Sequence, residues 1–523
     1  MAGILREILR ITHRVIELIV SGVLWLMYRG GGKKMPAIEN LLLLDSASVL
    51  AFKIRTGKVS SVEVVELFIS RIKEVNPVLN CVVDERFEEA LKEAKQVDEL
   101  IRSNIKTVEE IARDTPFLGV PFTTKDSIKV KGLSHTAGLY KRKDIKADKD
   151  AVVVSLMRKA GAIPLAVTNI SELCMWWESS NTVYGRTNNP YNTNHIVGGS
   201  SGGEGCIQAA AASAFGIGSD IGGSIRMPAF FNGIFGHKPS RDIVSNDGQY
   251  PFPTGEQETY LGVGPMCRFA SDLAPMLRIL ADKNASKLHL DEKVDIQKIK
   301  YFYMENDGGS VLVSPVHPEI RTAMRKVVAH FEKAYGIKPQ KILNKKFSKS
   351  APIWFAKMKV KGAPSFSEQL TNLEGSVNVY LEFLKWILCW SNHTFIGLCT
   401  ALTEMWGVKH GSEKHQYLVN MCSQLKLELQ DMLGTDGVLL YPTHPTPAPY
   451  HNEPVIKPFN FSYTGIINVL GLPATNCPLG LSENGLPLGI QVIANQNQDH
   501  LTLAVACELE KAFGGWVPPA IAV

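Results

Sequence analysis

The most informative stretch of this chain, residues 197–240, holds two serines set among glycines. Ser200 lies within the run GGSSGG, and Ser224 lies within DIGGSIR. Glycine permits backbone conformations and close approaches that other residues do not, so each serine can present its hydroxyl beside free N–H groups. Acyl transfer needs a nucleophilic oxygen and amide donors where negative charge develops. Flexible linkers are the alternative, but linkers do not enclose an alanine-rich helix such as the one predicted over 206–214.

A serine hydroxyl is a weak nucleophile until a base removes its proton. Histidine is the usual base, and His195 and His237 flank the stretch without the pattern of a triad, so they remain alternatives. A buried lysine can also serve, because burial lowers its pKa. Lys125 ends the mostly apolar run FLGVPFTTK, which we predict to be a buried strand. A lysine at a strand end is usually solvated, but the two serines downstream favour a catalytic role.

Together, Lys125, Ser200 and Ser224 resemble the Ser-Ser-Lys triad of the amidase signature family, and their spacing is similar to that of its fatty-acid amide hydrolases. The resemblance extends over residues 42–516 and includes the late motif GLPLGIQ. Within the family, the motifs SELCMW and FFNGIFGHKP are most similar to the membrane-associated type 2 branch of those hydrolases. The resemblance implies an α/β fold with a large, twisted, mixed β-sheet covered by helices on both faces.

The resemblance also implies a role for each site residue. A neutral Lys125 would be the base, Ser200 would relay the proton, and Ser224 would attack the amide carbonyl to form an acyl-enzyme that water hydrolyses. The implied oxyanion hole consists of the N–H groups of Ile221, Gly222, Gly223 and Ser224. The implied substrate-binding positions are Cys174 and Met175.

The first 34 residues differ in character from the rest of the chain. A polar, largely basic face recurs at helical spacing opposite an apolar face; its members are Arg6, Arg10, His13, Arg14 and Glu17. The run between Arg14 and Arg29 has 14 residues and contains Glu17, whereas a spanning helix needs roughly 20. We therefore predict a short membrane anchor or an interfacial helix, with docking on the enzyme itself or on a partner as the alternative. Glycines 30–32 would form a hinge before a catalytic domain at 35–523.

Helix and strand patterns alternate along the chain, which predicts an α/β fold. One helix begins at a capping box at Ser60 and ends before Pro77. The other predicted helices in the body of the chain cover 85–101, 150–160 and 499–513. The predicted strands are 117–125, 163–168, 437–441 and 489–494.

Residues 363–408 are the least typical of such a domain, because many large apolar side chains cluster there: Tyr380, Phe383, Leu384, Trp386, Ile387, Leu388, Trp390 and Phe395. One interpretation is a buried core helix. The other is an apolar cap near the substrate entrance that also touches a membrane, with Lys385 and His393 at the interface.

Composition restricts the class of protein. The 523 residues are 45% hydrophobic and 20% charged, so the chain can bury a large core. A net charge of +5 is too small over this length to indicate nucleic-acid binding. Nine cysteines without a C-x-x-C pair indicate reduced thiols in an intracellular compartment. No metal-ligand spacing or phosphate-binding loop is found in the sequence, so we expect no metal and no cofactor.

These features favour a serine hydrolase that cleaves fatty-acid amides to fatty acid and amine on an intracellular membrane. The expected partners are a lipid amide and the membrane, not nucleic acid; a homodimer stays open. One alternative is an amidase for small soluble amides or a glutaminase-type amidotransferase subunit, which has no need of the N-terminal helix. A membrane-tethered binding protein on an amidase scaffold is another, and it predicts a lost triad residue, whereas all three are present.

Overall fold

In the computed structural model of the protein, which describes residues 2–520, one large sheet contains eleven strands. The strands of the described chain are β1 (Val82–Glu85), β2 (Pro121–Lys125), β3 (Ile163–Thr168), β4 (Ser180–Asn181), β5 (Gly185–Arg186), β6 (Phe215–Asp220), β7 (Phe235–Lys238), β8 (Gly262–Cys267), β9 (Lys300–Tyr303), β10 (Gln340–Lys341), β11 (Gly437–Tyr441), β12 (Ala474–Leu481) and β13 (Pro487–Ala494). Their order in the sheet is β1-β3-β2-β6-β8-β7-β12-β13-β11-β9-β10, and β4 pairs with β5 separately. The sheet is mixed, because β2 runs parallel to both β3 and β6 whereas β8 runs antiparallel to β6 and β7.

Helices pack on both faces of this sheet. Those of the described chain are α1 (Ala2–Tyr28), α2 (Ala47–Arg55), α3 (Ser61–Leu79), α4 (Phe87–Ser103), α5 (Val108–Asp114), α6 (Val152–Lys159), α7 (Gly202–Ala209), α8 (Arg226–Phe231), α9 (Gln257–Tyr260), α10 (Ala270–Ala281), α11 (Pro318–Tyr335), α12 (Ser350–Met358), α13 (Phe366–Gln369), α14 (Val379–Ile387), α15 (Phe395–Trp406), α16 (Glu413–Leu433), α17 (Ser462–Leu470) and α18 (Asp499–Phe513). Alternate residues of β11 enter different cores: Val438 and Leu440 join one, Leu439 and Tyr441 the other. Because side chains alternate across a strand, the two cores lie on opposite faces, and the predicted fold class is confirmed.

Most predicted elements lie where the sequence patterns put them, and 163–168, 437–441 and 499–513 match to the residue. Pro77 does not end its helix: α3 continues to Leu79 and stops at Asn80, whose φ of 51° is left-handed. Asp150 does not cap α6, because its carboxylate accepts from the N–H of Lys131 instead.

Two further differences from the predicted elements occur at a glycine and an alanine with positive φ. The strand predicted from residue 117 covers only β2, since Gly119 turns the chain with a φ of 77°. The helix predicted over 206–214 is α7, which begins earlier and ends at Ala209, before Ala211 adopts a φ of 57°.

Residues 363–408 form α13, α14 and α15, and the interpretation as a buried core helix is wrong. Ile387, Trp390 and Trp406 are 68%, 75% and 78% exposed. A few side chains of this segment, among them Phe366 and Leu398, turn inward onto a small cluster that includes Leu173. The segment is therefore a cap held by a narrow apolar contact, with most of its large apolar side chains facing outward.

Candidate active site

Lys125 ends β2 in the interior of the sheet, between two parallel neighbours. It is 1% exposed, and its Nζ donates to Ser200 Oγ at 2.6 Å and to Ser219 Oγ at 2.9 Å. Both partners are neutral hydroxyls, and burial lowers the pKa of Lys125. An uncharged amine in contact with a serine hydroxyl can accept that serine's proton.

Ser200 lies on the loop that enters α7, and it is fully buried. Its peptide bond to Gly199 is cis. A Cβ on Gly199 would lie 2.4 Å from the carbonyl oxygen of Trp176, so the loop passes too close to its neighbour for any larger residue. Ser179 Oγ donates to the carbonyl oxygens of Gly198 and Ser200, at 2.9 and 3.3 Å, and holds the loop in place.

The loop that carries Ser224 is folded around the carboxylate of Asp220. That carboxylate accepts from the N–H of Gly223 at 2.7 Å and from the N–H of Ile225 at 3.1 Å. Arg226 Nη2 donates to it at 3.0 Å within the protein interior. Burial by itself raises the pKa of Asp220, but Arg226 and the hydrogen bonds outweigh that effect and lower the pKa to about 2. Asp220 is therefore an ionised structural group.

Three backbone N–H groups of the loop that carries Ser224 are candidates for an oxyanion hole. Within residues 2–520, no backbone acceptor is found for the N–H groups of Ile221, Gly222 and Ser224. Gly223, expected to be a fourth donor, instead donates to Asp220, because the loop closes on that carboxylate. Ser224 is 7% exposed whereas Ser200 is fully buried, so Ser224 is the serine that a ligand can reach.

The loop that carries Cys174 and Met175 lies between Lys125 and the cap. Leu173 and Cys174 both have positive φ values, 51° and 60°. The thiol of Cys174 is close enough to Lys125 to oppose, weakly, the effect of burial on the pKa of that lysine. Met175 packs against both the cap cluster and one of the two main cores. The two residues expected to contact substrate therefore lie beside Lys125 and under the cap.

The two histidines considered as bases are hydrogen-bonded to groups outside the glycine-rich loops. His237 lies between Thr475 Oγ1 at 2.8 Å and Asp499 Oδ1 at 3.1 Å. His195 bonds through Nδ1 to the carbonyl oxygen of Ala448 at 2.7 Å. The geometry favours Lys125 over both rings, since it is Lys125 that bonds to a serine of the glycine-rich loops.

Sequence reasoning missed two groups that support the site. Ser219 is the second acceptor for Lys125, and its position directly before DIGGSIR was a usable signal. Asn468 Nδ2 donates to Asp220 Oδ1 at 2.9 Å from 248 positions away, for which no local signal exists. Within residues 2–520, no group of three or more His, Cys, Asp or Glu side chains is placed to hold a metal ion.

Gly223→Ala is expected to reduce activity by about 10²- to 10³-fold, because its side chain would move the loop and displace the neighbouring oxyanion donors, and the loss of one such donor typically costs that much. The new Cβ would lie 2.0 Å from Thr464 Oγ1, and the φ of 125° disfavours any side chain. Gly222→Ala is the matched control: its Cβ would meet Trp354 at an ordinary 3.5 Å, so we expect activity within tenfold of wild type. Steady-state kinetics and thermal unfolding of both variants test this, and equal losses would contradict it.

A protein-family model described as Amidase matches residues 63–503. The chain is 51% identical over 489 residues to fatty-acid amide hydrolase 2 of Homo sapiens, covering 92% of each chain. It is 48% identical to fatty-acid amide hydrolase 2-A of Danio rerio, covering 97% of this chain and 98% of that one.

A solved structure of a fatty acid amide hydrolase superposes with a TM-score of 0.73 at 24% identity, covering 91% of this chain and 86% of that one. That likeness shows the fold, and the family model and the two relatives show the family. The family resemblance that the serine motifs indicated is thereby confirmed: the chain belongs to the amidase family and is an amide-hydrolysing enzyme.

Proposed function

We propose that the protein hydrolyses fatty-acid amides to fatty acid and amine, with Ser224 as nucleophile, Ser200 as proton relay and Lys125 as base. The observation that carries the proposal is the 2.6 Å contact between the buried amine of Lys125 and Ser200 Oγ, next to a more accessible Ser224. A lysine whose pKa is lowered by burial can take up a proton near neutral pH.

In the first half of the reaction, Lys125 takes the proton of Ser200 while Ser200 takes that of Ser224. Ser224 Oγ bonds to the carbonyl carbon, and the C=O electron pair moves to oxygen, where the N–H groups of Ile221, Gly222 and Ser224 itself donate. The C–N bond then breaks. The departing amine takes the proton that returns from Lys125 through Ser200, because an amine leaves poorly without protonation.

Water completes the cycle. Its proton passes through Ser200 to Lys125 as its oxygen bonds to the acyl carbon. The bond from that carbon to Ser224 Oγ then breaks, and Ser224 regains a proton as the fatty acid leaves. The base thus ends each turnover neutral, ready for the next amide.

The lipid character of the substrate is supported by the two relatives named for fatty-acid amides and by the cap. The cap is fastened to the active-site loop, because Glu172 accepts from the N–H and the Oγ1 of Thr394, at 2.8 and 2.6 Å. Its outward apolar side chains suit contact with a membrane that supplies the substrate. We propose that residues 1–34 add a second membrane contact and that 35–523 form the catalytic domain.

A series of amides with one amine and increasing acyl length tests the substrate class. We expect kcat/KM to rise by roughly tenfold for every two methylenes until the acyl site is filled, since each buried CH₂ contributes about 0.8 kcal/mol. All substrates are compared below their aggregation concentrations, and the Ser224→Ala variant supplies the background rate. A flat or falling dependence, or preference for glutamine, would instead favour a soluble-amide or glutaminase-type amidase.

A further inference from the structure

The N-terminal helix α1 is held against the catalytic domain along its whole length. Near its start, Arg6 donates to the carbonyl oxygen of Gly309 at 3.0 Å. Near its middle, His13 Nε2 bonds to the carbonyl oxygen of Ile456 at 3.1 Å. At its end, Tyr28 stacks on a tyrosine ring 5.4 Å away. The 27 residues of α1 extend over about 40 Å, so these contacts tie down the entire helix rather than one end.

The docked stripe of α1 is polar. Glu17 is only 7% exposed, and its carboxylate accepts a hydrogen bond from Ser314 Oγ. One turn further on, Ser21 donates to Glu453, which also pairs with Lys457. The buried carboxylate of Glu17 is tolerated because it is hydrogen-bonded. If α1 left the catalytic domain, polar groups on the helix and on the domain would both lose their hydrogen-bond partners.

The outward surface of α1 is apolar, which reverses the usual arrangement in which an amphipathic helix turns its apolar face to the core. Its large exposed apolar side chains are Ile4, Leu5, Ile8, Leu9, Ile11, Val15, Ile16, Leu18, Ile19, Val23, Trp25, Leu26 and Met27. A continuous apolar surface of this size marks an interaction site. By length and composition alone, residues 4–28 could also cross a membrane.

We propose that α1 stays docked on the enzyme and lies in the plane of a lipid surface, with its outward apolar face inserted among the lipids. The protein would then sit on one leaflet, with the catalytic domain directly against it. This inference rests on the membrane association proposed above and does not depend on which amide is hydrolysed.

Two features identify lipid, rather than a second copy of the chain, as the partner. The apolar residues lie on both sides of the docked stripe, so the surface is wider than the narrow seam that pairs two helices. Charge is the second feature: residues 1–34 contain six Arg and Lys against two Glu, and three of those cations, Arg29, Lys33 and Lys34, are exposed directly after the helix. Such an excess beside an apolar helix matches anionic headgroups.

The docking contacts also argue against a spanning helix. A helix that crosses roughly 30 Å of hydrocarbon would have to leave Ser314 and Glu453, which belong to the catalytic domain, and carry Glu17 into the lipid. The predicted hinge is itself held in place. The N–H of Lys33 donates to Thr193 Oγ1 at 2.7 Å, and a Cβ on Gly32 would lie 2.5 Å from that same oxygen.

The test uses the full chain with an N-terminal peptide tag that an added protease can remove. The protein is bound to sealed vesicles of phosphatidylcholine and phosphatidylserine, and protease is added outside. We expect complete removal of the tag, because both ends of α1 remain on the side of the catalytic domain. A tag protected until detergent is added, or no binding to these vesicles, would overturn the proposal.

Two matched variants test what holds the helix. Glu17→Leu removes the docked carboxylate and completes an apolar run, so we expect a protected fraction of tag to appear. Glu7→Leu changes the same charge on the same helix at an exposed position, and its tag should stay fully accessible. Equal accessibility in both variants would overturn the role of Glu17. Fluorophosphonate labelling of detergent-solubilised protein checks the fold, and because the tag readout needs no catalysis, failure of the proposed activity would leave it unchanged.

Discussion

Ser224→Ala is expected to abolish amide hydrolysis, lowering kcat by about 10⁴- to 10⁶-fold, and to prevent labelling by a fluorophosphonate probe. The hydroxyl is the proposed nucleophile, and alanine offers no atom that could form the acyl-enzyme in its place. The substitution removes a single oxygen at the accessible edge of the site, so the fold should persist. Intact-protein mass spectrometry after probe treatment, with turnover of a long-chain amide, provides the measurement.

Ser201→Ala is the control for that experiment. Ser201 is buried on the same glycine-rich loop, but its Oγ donates to the carbonyl oxygen of Ser219 at 3.3 Å. We expect it to retain probe labelling and activity within tenfold of wild type. A covalent adduct that still forms in Ser224→Ala would show that another residue is the nucleophile.

Lys125→Ala is expected to slow amide cleavage much more than cleavage of the matching ester. Both reactions need an activated Ser224, but only the amine leaving group depends strongly on receiving a proton. Losing a general base or a general acid typically costs about 10²- to 10⁴-fold. Amide cleavage uses Lys125 in both roles, so it loses both contributions. In wild type the neutral amine is the active form, so kcat/KM should fall as pH drops through the lowered pKa of Lys125. That acidic limb should disappear in the variant.

Lys238 offers a matched control, because it is a second buried lysine. Burial lowers its pKa to about 7, and its Nζ donates to the carbonyl oxygen of Pro239 at 2.6 Å. Lys238→Met should leave the amide-to-ester ratio unchanged, whereas Lys125→Met, which fills the same space as the lysine, should lower it. Thermal unfolding of each variant precedes the kinetics. An unchanged ratio in Lys125→Ala would remove Lys125 from the mechanism and restore a histidine such as His195 as the candidate.

The sequence by itself determined the family and the fold class, and it supplied the candidate reacting residues. These could be predicted because the information is local: GGSSGG and DIGGSIR place each serine beside the glycines that its loop needs. Lys125 became a candidate because of those two serines, whereas its burial at the end of β2 came from the structure. Strand and helix patterns were equally local, which is why 163–168 and 499–513 match to the residue.

Only the tertiary structure decided which faces are covered and how the loops are held. Helical periodicity showed that α1 has a polar and an apolar face. The usual expectation is that the apolar face is buried, but Ser314 and Glu453, hundreds of positions away, bind the polar face instead. Likewise, the N–H of Gly223 was expected in the oxyanion hole, yet it closes on Asp220, which is held by Asn468. A local pattern fixes the conformation that a segment can adopt, whereas its partners are set by long-range packing. In this protein those partners determine which face of α1 is exposed and how the loop that carries Ser224 is shaped.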